Sequence, residues 1–216
     1  AALADVREKK KKKLAAAIFD MTIKMYLRDN YIHGDLHGGN LLYSTDPLDE
    51  RVFVLDAGLT TALERDWAAP FGYMLHALTL GNADRVAEKL LMFNINSAPV
   101  NHPAFTAELR HVMNIYMKDG KNASNDGQGA GSKPVNMGAM MGHVLMVLQK
   151  HQVSLRGDVA MTIVTMSISE GLIRQLDPEF DLVRRSIPYF VRFRSWGSTS
   201  LSGKEWETEV KGSNGG

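Results

Sequence analysis

Asp35, Asn40 and Asp56 are the residues whose types and spacing could do chemistry in this chain, and they stand in two short polar stretches. The first reads His33-Gly34-Asp35-Leu36-His37-Gly38-Gly39-Asn40, the second Leu55-Asp56-Ala57-Gly58. Phosphoryl transfer needs a carboxylate to orient or deprotonate the nucleophile, and oxygen ligands for a Mg²⁺ ion that bridges the phosphates. An Asp, an Asn five positions on and then an Asp shortly before a Gly supply those parts in the order that kinases use. Such oxygen donors suit Mg²⁺, whereas zinc prefers nitrogen and sulfur. His33 and His37, four apart, also have the spacing of a helical zinc site, but glycines at 34, 38 and 39 oppose the helix and the accompanying Glu is absent. Asp, Asn and Gly are ordinary turn residues too. It is the ordered set, with strand-like runs between its members, that points to chemistry.

The elements that must position these residues can be read from the pattern around them. Leu41-Leu42-Tyr43 and Val52-Phe53-Val54-Leu55 predict the two strands of a hairpin turning at Asp46-Pro47, with Asp35, Asn40 and Asp56 on loops at the strand ends. Upstream, Leu14, Ala17, Ile18, Met21 and Met25 recur on one face and predict a helix over 1–28. Downstream, helices are expected over Leu63 to Leu80 and over Ala83 to Phe93, with Gly81-Asn82 ending one and capping the next. A further helix starts at Asn101-His102-Pro103, and two more are expected over about Met140 to His151 and Asp158 to Leu176, the latter capped by Asp158 and nearly apolar all round. A last short helix or turn surrounds Pro188. His76 reads as a packed or surface histidine, and the methionines as fillers of an irregular core. The polar stretch 119–138 predicts a flexible insertion, and 197–216 a disordered tail, so the domain is expected over 1–196.

At this point the residues resemble a family. HGDLHGGN followed by LDAG looks like the catalytic loop and metal-binding motif of the aarF-domain, or UbiB-like, atypical kinases, whose pattern is close to HxDxHPGN and then DFG. The late element Ser169-Glu170-Gly171-Leu172-Ile173-Arg174-Gln175-Leu176-Asp177-Pro178 is similar to that family's Leu-Asp-Pro helix. Two departures stand out: Gly38 replaces the usual Pro, and Ala57 the usual Phe. The resemblance implies Asp35 as the catalytic-loop aspartate, His33 and His37 as residues orienting that loop, and Asn40 and Asp56 as Mg²⁺ ligands in an ATP site. It also implies a mitochondrial location, a role in coenzyme Q or lipid metabolism, and membrane or lipid association through the parent protein.

Composition narrows the classes. The 216 residues carry 25 basic and 24 acidic side chains, so no global charge draws the chain to nucleic acid. Cysteine is absent, which excludes disulfides and thiol catalysis. No apolar run approaches the roughly 18 residues of a membrane span, and no targeting signal is visible. The lysine run Lys9 to Lys13 reads as a solvated helix face.

The expected fold is mainly α with a small β-hairpin, the shape of a protein-kinase-like C-lobe. A kinase-like N-lobe needs a sheet, a phosphate-covering loop and a lysine paired with a helix carboxylate, and none can be read before His33. The chain is therefore expected to be the C-terminal part of a longer atypical kinase or ATPase, inactive by itself, whose missing N-lobe or a partner chain completes the site. Two alternatives stand beside this one. One is a small-molecule phosphotransferase of the aminoglycoside or choline kinase type, which would want an acidic cleft. The other is a catalytically inactive pseudokinase scaffold, which exposed apolar residues around Tyr31, Ile32, Leu41 and Tyr43 would support.

Overall fold

The structure is a computed structural model, and it describes residues 2–44, 46, 51–122 and 134–200. It is mainly helical with small antiparallel ladders. Helix α1 (Ala2–Lys24) widens into a π-turn over Met25–Asp29. Asn30 ends it with φ +47, a left-handed conformation that Asn tolerates better than most residues. The Asn30 side chain also donates to the Leu63 carbonyl (2.8 Å) and accepts from the Leu63 amide (3.1 Å). One residue thus ties the entry of the first polar loop to the segment that follows the second.

The expected hairpin is present as β2 (Leu41–Tyr43) and β3 (Val52–Val54), after β1 (Ile32–His33), in the register Leu41↔Val54, Leu42↔Phe53 and Tyr43↔Val52. Its Asp46-Pro47 turn falls largely outside the described residues. A second ladder was not expected: β1 pairs with β4 (Thr60–Thr61), with Ile32 opposite Thr61 and His33 opposite Thr60. Two-residue strands carry no periodic signal, and this pair closes a loop of nearly thirty residues.

Six more helices follow among the described residues: α2 (Arg65–Thr79), α3 (Ala83–Met92), α4 (His102–Asn122), α5 (Met137–Lys150), α6 (Gly157–Leu176) and α7 (Leu182–Ser200). Gly81 at φ +71 ends α2's turn, and the Asn82 side chain accepts from the Arg85 amide to cap α3. Asn101 caps α4 and Asn136 caps α5 in the same way. Helices α2 to α6 pack in sequence order, α1 lies along α6, and α7 crosses α1 and α2. Phe71, Met74, Phe93, Phe105, Met113 and Met140 are fully enclosed in one continuous core. Among the described residues no helix is long and apolar enough to cross a membrane.

Several boundaries and faces differ from expectation. Arg156, not Asp158, is the N-cap of α6; Asp158 sits inside the first turn, where its carboxylate accepts from the Val159 amide at 2.9 Å. Helix α6 is not buried all round, because Val164 and Ile168, four apart, face outward. The helix around Pro188 is long rather than short and continues through Gly197 to Ser200, so those last residues are helical. Pro188 removes one backbone donor, yet the helix continues past it and buries Phe190 against the core. The break expected over 119–138 is narrower, since α4 runs to Asn122 and α5 begins at Met137; positions 123–133 and 201–216 lie outside the described residues.

Candidate active site

His33 is the residue around which the two polar loops close. It is 4 % exposed, in the strand that pairs with Thr60. Its Nδ1 accepts the Asp35 amide hydrogen at 3.1 Å, so the ring hydrogen is assigned to Nε2, which donates to the Asp56 carbonyl. One imidazole thereby bridges the backbone of both stretches. Beside it, the Gly34 amide donates to the Leu59 carbonyl at 2.8 Å, a second tie between the same two loops.

His37 acts on the loop from within. It stands just before a one-turn 3₁₀ helix, Gly38–Asn40, and its Nδ1 accepts from the Gly39 amide at 3.0 Å. Its own amide donates to the Asp35 carbonyl at 3.0 Å, and its Nε2 lies 3.6 Å from Asp35 Oδ2, longer than a hydrogen bond. Asn40 completes the turn. Its side-chain amide donates to the Asp35 carbonyl (2.9 Å), and its carbonyl accepts from the Leu55 amide (2.9 Å). All five sequence-selected residues therefore belong to one hydrogen-bonded unit, with the Asp35 and Asp56 side chains open to solvent.

The donor set can be compared with the metal that the motif implies. Asp56 Oδ1 is engaged by the Gly58 amide at 2.7 Å, which leaves Oδ2, and donation by Asn40 Nδ2 leaves that amide's Oδ1. Among the described residues no three His, Asp or Glu side chains form a metal cluster. Two protein oxygens fit Mg²⁺, which commonly takes one or two protein ligands and completes its shell with phosphates and water.

Gly38, one of the two departures from the family motif, occupies the first position of the 3₁₀ turn. A Cβ there would meet only Leu172 Cδ1, at an ordinary 3.6 Å. The preceding residue, His37, has φ −113 and ψ 169, which is the extended conformation required before proline. Gly38→Pro is therefore expected to fold unchanged and to raise stability by about 0.4–1 kcal/mol through the unfolded chain, read from a denaturation midpoint.

Sequence reasoning missed a second polar cluster. Glu170 is 4 % exposed, yet its Oε1 accepts from Arg174 Nε (2.7 Å) and from the Met137 amide (2.9 Å) at the start of α5. Burial pushes its carboxyl above the usual glutamate range, with Arg174 and the Met137 and Gly138 amides acting against that rise. The four-residue Glu-to-Arg spacing was the signal that could have found it. His76 is half-buried with its ring against Phe190 (5.1 Å), and burial moves its pKa down.

These features define a mainly helical protein that joins a His-Asp-Asn loop to a second Asp-bearing loop through buried histidine. The ABC1 atypical kinase-like domain matches residues 2–90 and the UbiB helical domain matches residues 129–181. Through these two matches the chain is similar to the ABC1 and UbiB-like atypical kinase-like proteins. It is 23% identical to a mitochondrial ABC1 family protein of Schizosaccharomyces pombe, over 83% of this chain and 30% of that protein. It is 19% identical to an uncharacterised protein of the hydrogenase 1 5′ region of Clostridium pasteurianum, over 82% of this chain and 30% of that protein. The chain spans about 30% of the length of the curated relatives it matches.

Proposed function

We propose that this chain is the catalytic-loop part of a protein-kinase-like C-lobe, and that the complete protein is a Mg²⁺-ATP-dependent phosphotransferase or ATPase supporting coenzyme Q or lipid metabolism in mitochondria. The observation that carries this reading is the His33 bridge, because it holds Asp35 and Asp56 in one unit while leaving both carboxylates exposed. Asn40 and Asp56 hold the metal, which when bound neutralises charge on the phosphates. Asp35 orients the acceptor hydroxyl or water. His37 shapes the turn that presents Asn40. The mitochondrial assignment draws on the relative from Schizosaccharomyces pombe.

One set of side chains supports the scaffold alternative. Tyr31, Leu42, Phe53, Leu55 and Leu59 expose about half their surface around the site. This corrects the set expected from sequence: Ile32 is fully buried, and Leu41 and Tyr43 are partly so, because strand alternation turns Leu42 outward instead. An N-lobe with bound nucleotide would cover such a face, as would a partner chain.

Asp56→Asn in the complete protein separates the readings. On the catalytic reading Mg²⁺-ATP binding weakens by several kcal/mol, roughly a hundredfold or more, and cellular function is lost with it. If function survives that loss of nucleotide binding, the protein acts as a scaffold.

A further inference from the structure

We propose that Met161, on α6, is a positioning residue that holds the His33–Asn40 loop at Gly34. The inference rests on reading that loop as the catalytic one. Three of its eight residues are glycines, at 34, 38 and 39. Glycine leaves the backbone more conformational freedom than any other residue, so at these three positions the loop has no side chain of its own to fix its path. The restraint has to come from neighbours.

Each glycine has one. A Cβ built at Gly39 would lie 2.8 Å from His37 Cε1, so the His37 ring closes over that position from inside the loop. At Gly38 the nearest atom is Leu172 Cδ1, from α6, at 3.6 Å. Gly34 is the most tightly held: its Cβ would lie 2.2 Å from Met161 Cε, 3.1 Å from Leu59 Cγ and 3.3 Å from the Leu59 carbonyl oxygen. The Gly34 backbone is thus clasped between the Met161 methyl and the residue to which its own amide is bonded. Gly34 lies between His33 and Asp35, so a shift there moves the bridge and the carboxylate together.

Helix α6 is suited to this task. Met161 and Leu172 are eleven residues apart, about three turns or roughly 16 Å of rigid helix, which matches contact with both ends of one loop. The same helix packs against β4, the strand leaving the Asp56 loop, and also against α1 and α5. A methionine can reach an irregular backbone surface because its thioether is unbranched and adaptable. What α6 supplies is a common rigid base for both polar loops.

The test uses the complete protein, with Mg²⁺-ATP turnover and amide hydrogen exchange of residues 33–40 as separate readouts. Met161→Ala is expected to lower kcat by roughly ten- to a hundredfold with KM for ATP within about twofold, and to speed exchange at Gly34 and Asp35. Met161→Leu, which refills the space, restores most of both. Gly34→Ala alone lowers kcat because its methyl displaces Met161 and presses on Leu59, while Gly34→Ala with Met161→Ala loses clearly less than the product of the two single losses, since only the Leu59 contact is left to add to the loss of Met161. The proposal is overturned if Met161→Ala leaves loop exchange unchanged, or if the two losses in kcat multiply. If the unaltered protein shows no turnover, the phosphoryl-transfer reading fails, and the exchange result still decides whether Met161 holds the loop.

Discussion

Arg174→Ala is expected to destabilise the fold by about 3–5 kcal/mol, the largest stability effect of any single substitution considered for this chain. Arg174 is the cation opposite Glu170, whose carboxylate is almost wholly buried. Its guanidinium also donates to the Val135 carbonyl and, at 3.4 Å, to the Pro178 carbonyl. One side chain thereby joins α6 to the entry of α5 and to the Leu-Asp-Pro element. Removing it leaves a buried charge unpaired and two carbonyls without their donor. Glu170→Gln should cost much less, because the amide oxygen still accepts from Met137 and Arg174 keeps its carbonyls. The double variant should fall between the two.

The pH dependence follows from the direction of the Glu170 shift. Its folded pKa lies above the ordinary glutamate value, so the fold favours the protonated form. That contribution is fully present below the ordinary value and is lost as pH rises through the raised one. Without Arg174 the rise is larger, since the opposing charge is gone. Arg174→Ala protein should therefore regain stability as pH falls from 7 toward 4, while Glu170→Gln shows no such recovery. Thermal unfolding at a series of pH values measures both, and equal pH profiles for the two variants would contradict the argument.

How much of this was legible in the sequence depends on the range of the interaction. Helices α2, α3 and α4 were readable because their apolar residues recur every three or four positions and because Asn82 and Asn101 announce their starts. The β2–β3 hairpin was readable from clustered β-branched and aromatic residues. The site residues Asp35, Asn40 and Asp56 could be picked by type and order, since their spacing is itself the signal. What joins them could not. The β1–β4 pairing, the Asn30 clasp on Leu63 and the Met161 contact with Gly34 each link positions about 30 to 130 apart through one or two residues. Asp158 was misplaced for a local reason: an acid in the first turn and an acid at the cap look alike until the backbone is known.

His33→Ala is expected to have the largest effect on activity among residues that carry no reacting atom. It removes the acceptor for the Asp35 amide and the donor to the Asp56 carbonyl, and it empties a buried ring's space. Lost hydrogen bonds and packing together put the stability cost at about 2–4 kcal/mol. The functional cost is greater than stability alone would produce. Asp35 and Asp56 belong to different loops, and with the bridge gone the ties between the two stretches are backbone ones outside both carboxylate positions: the Gly34–Leu59 and Asn40–Leu55 bonds and the β1–β4 ladder. A displacement near 1 Å between reacting groups can cost roughly a hundredfold, so turnover should fall by at least that factor. His33→Gln separates the two effects, because its side chain offers one acceptor and one donor at similar reach. It should regain most of the stability and part of the turnover, and faster hydrogen exchange at the Asp35 amide should follow the loss of turnover across both variants. If His33→Ala instead loses stability while the folded fraction turns over normally, the loops hold their geometry without the bridge. Placement of the two carboxylates would then have to come from α6 beneath them.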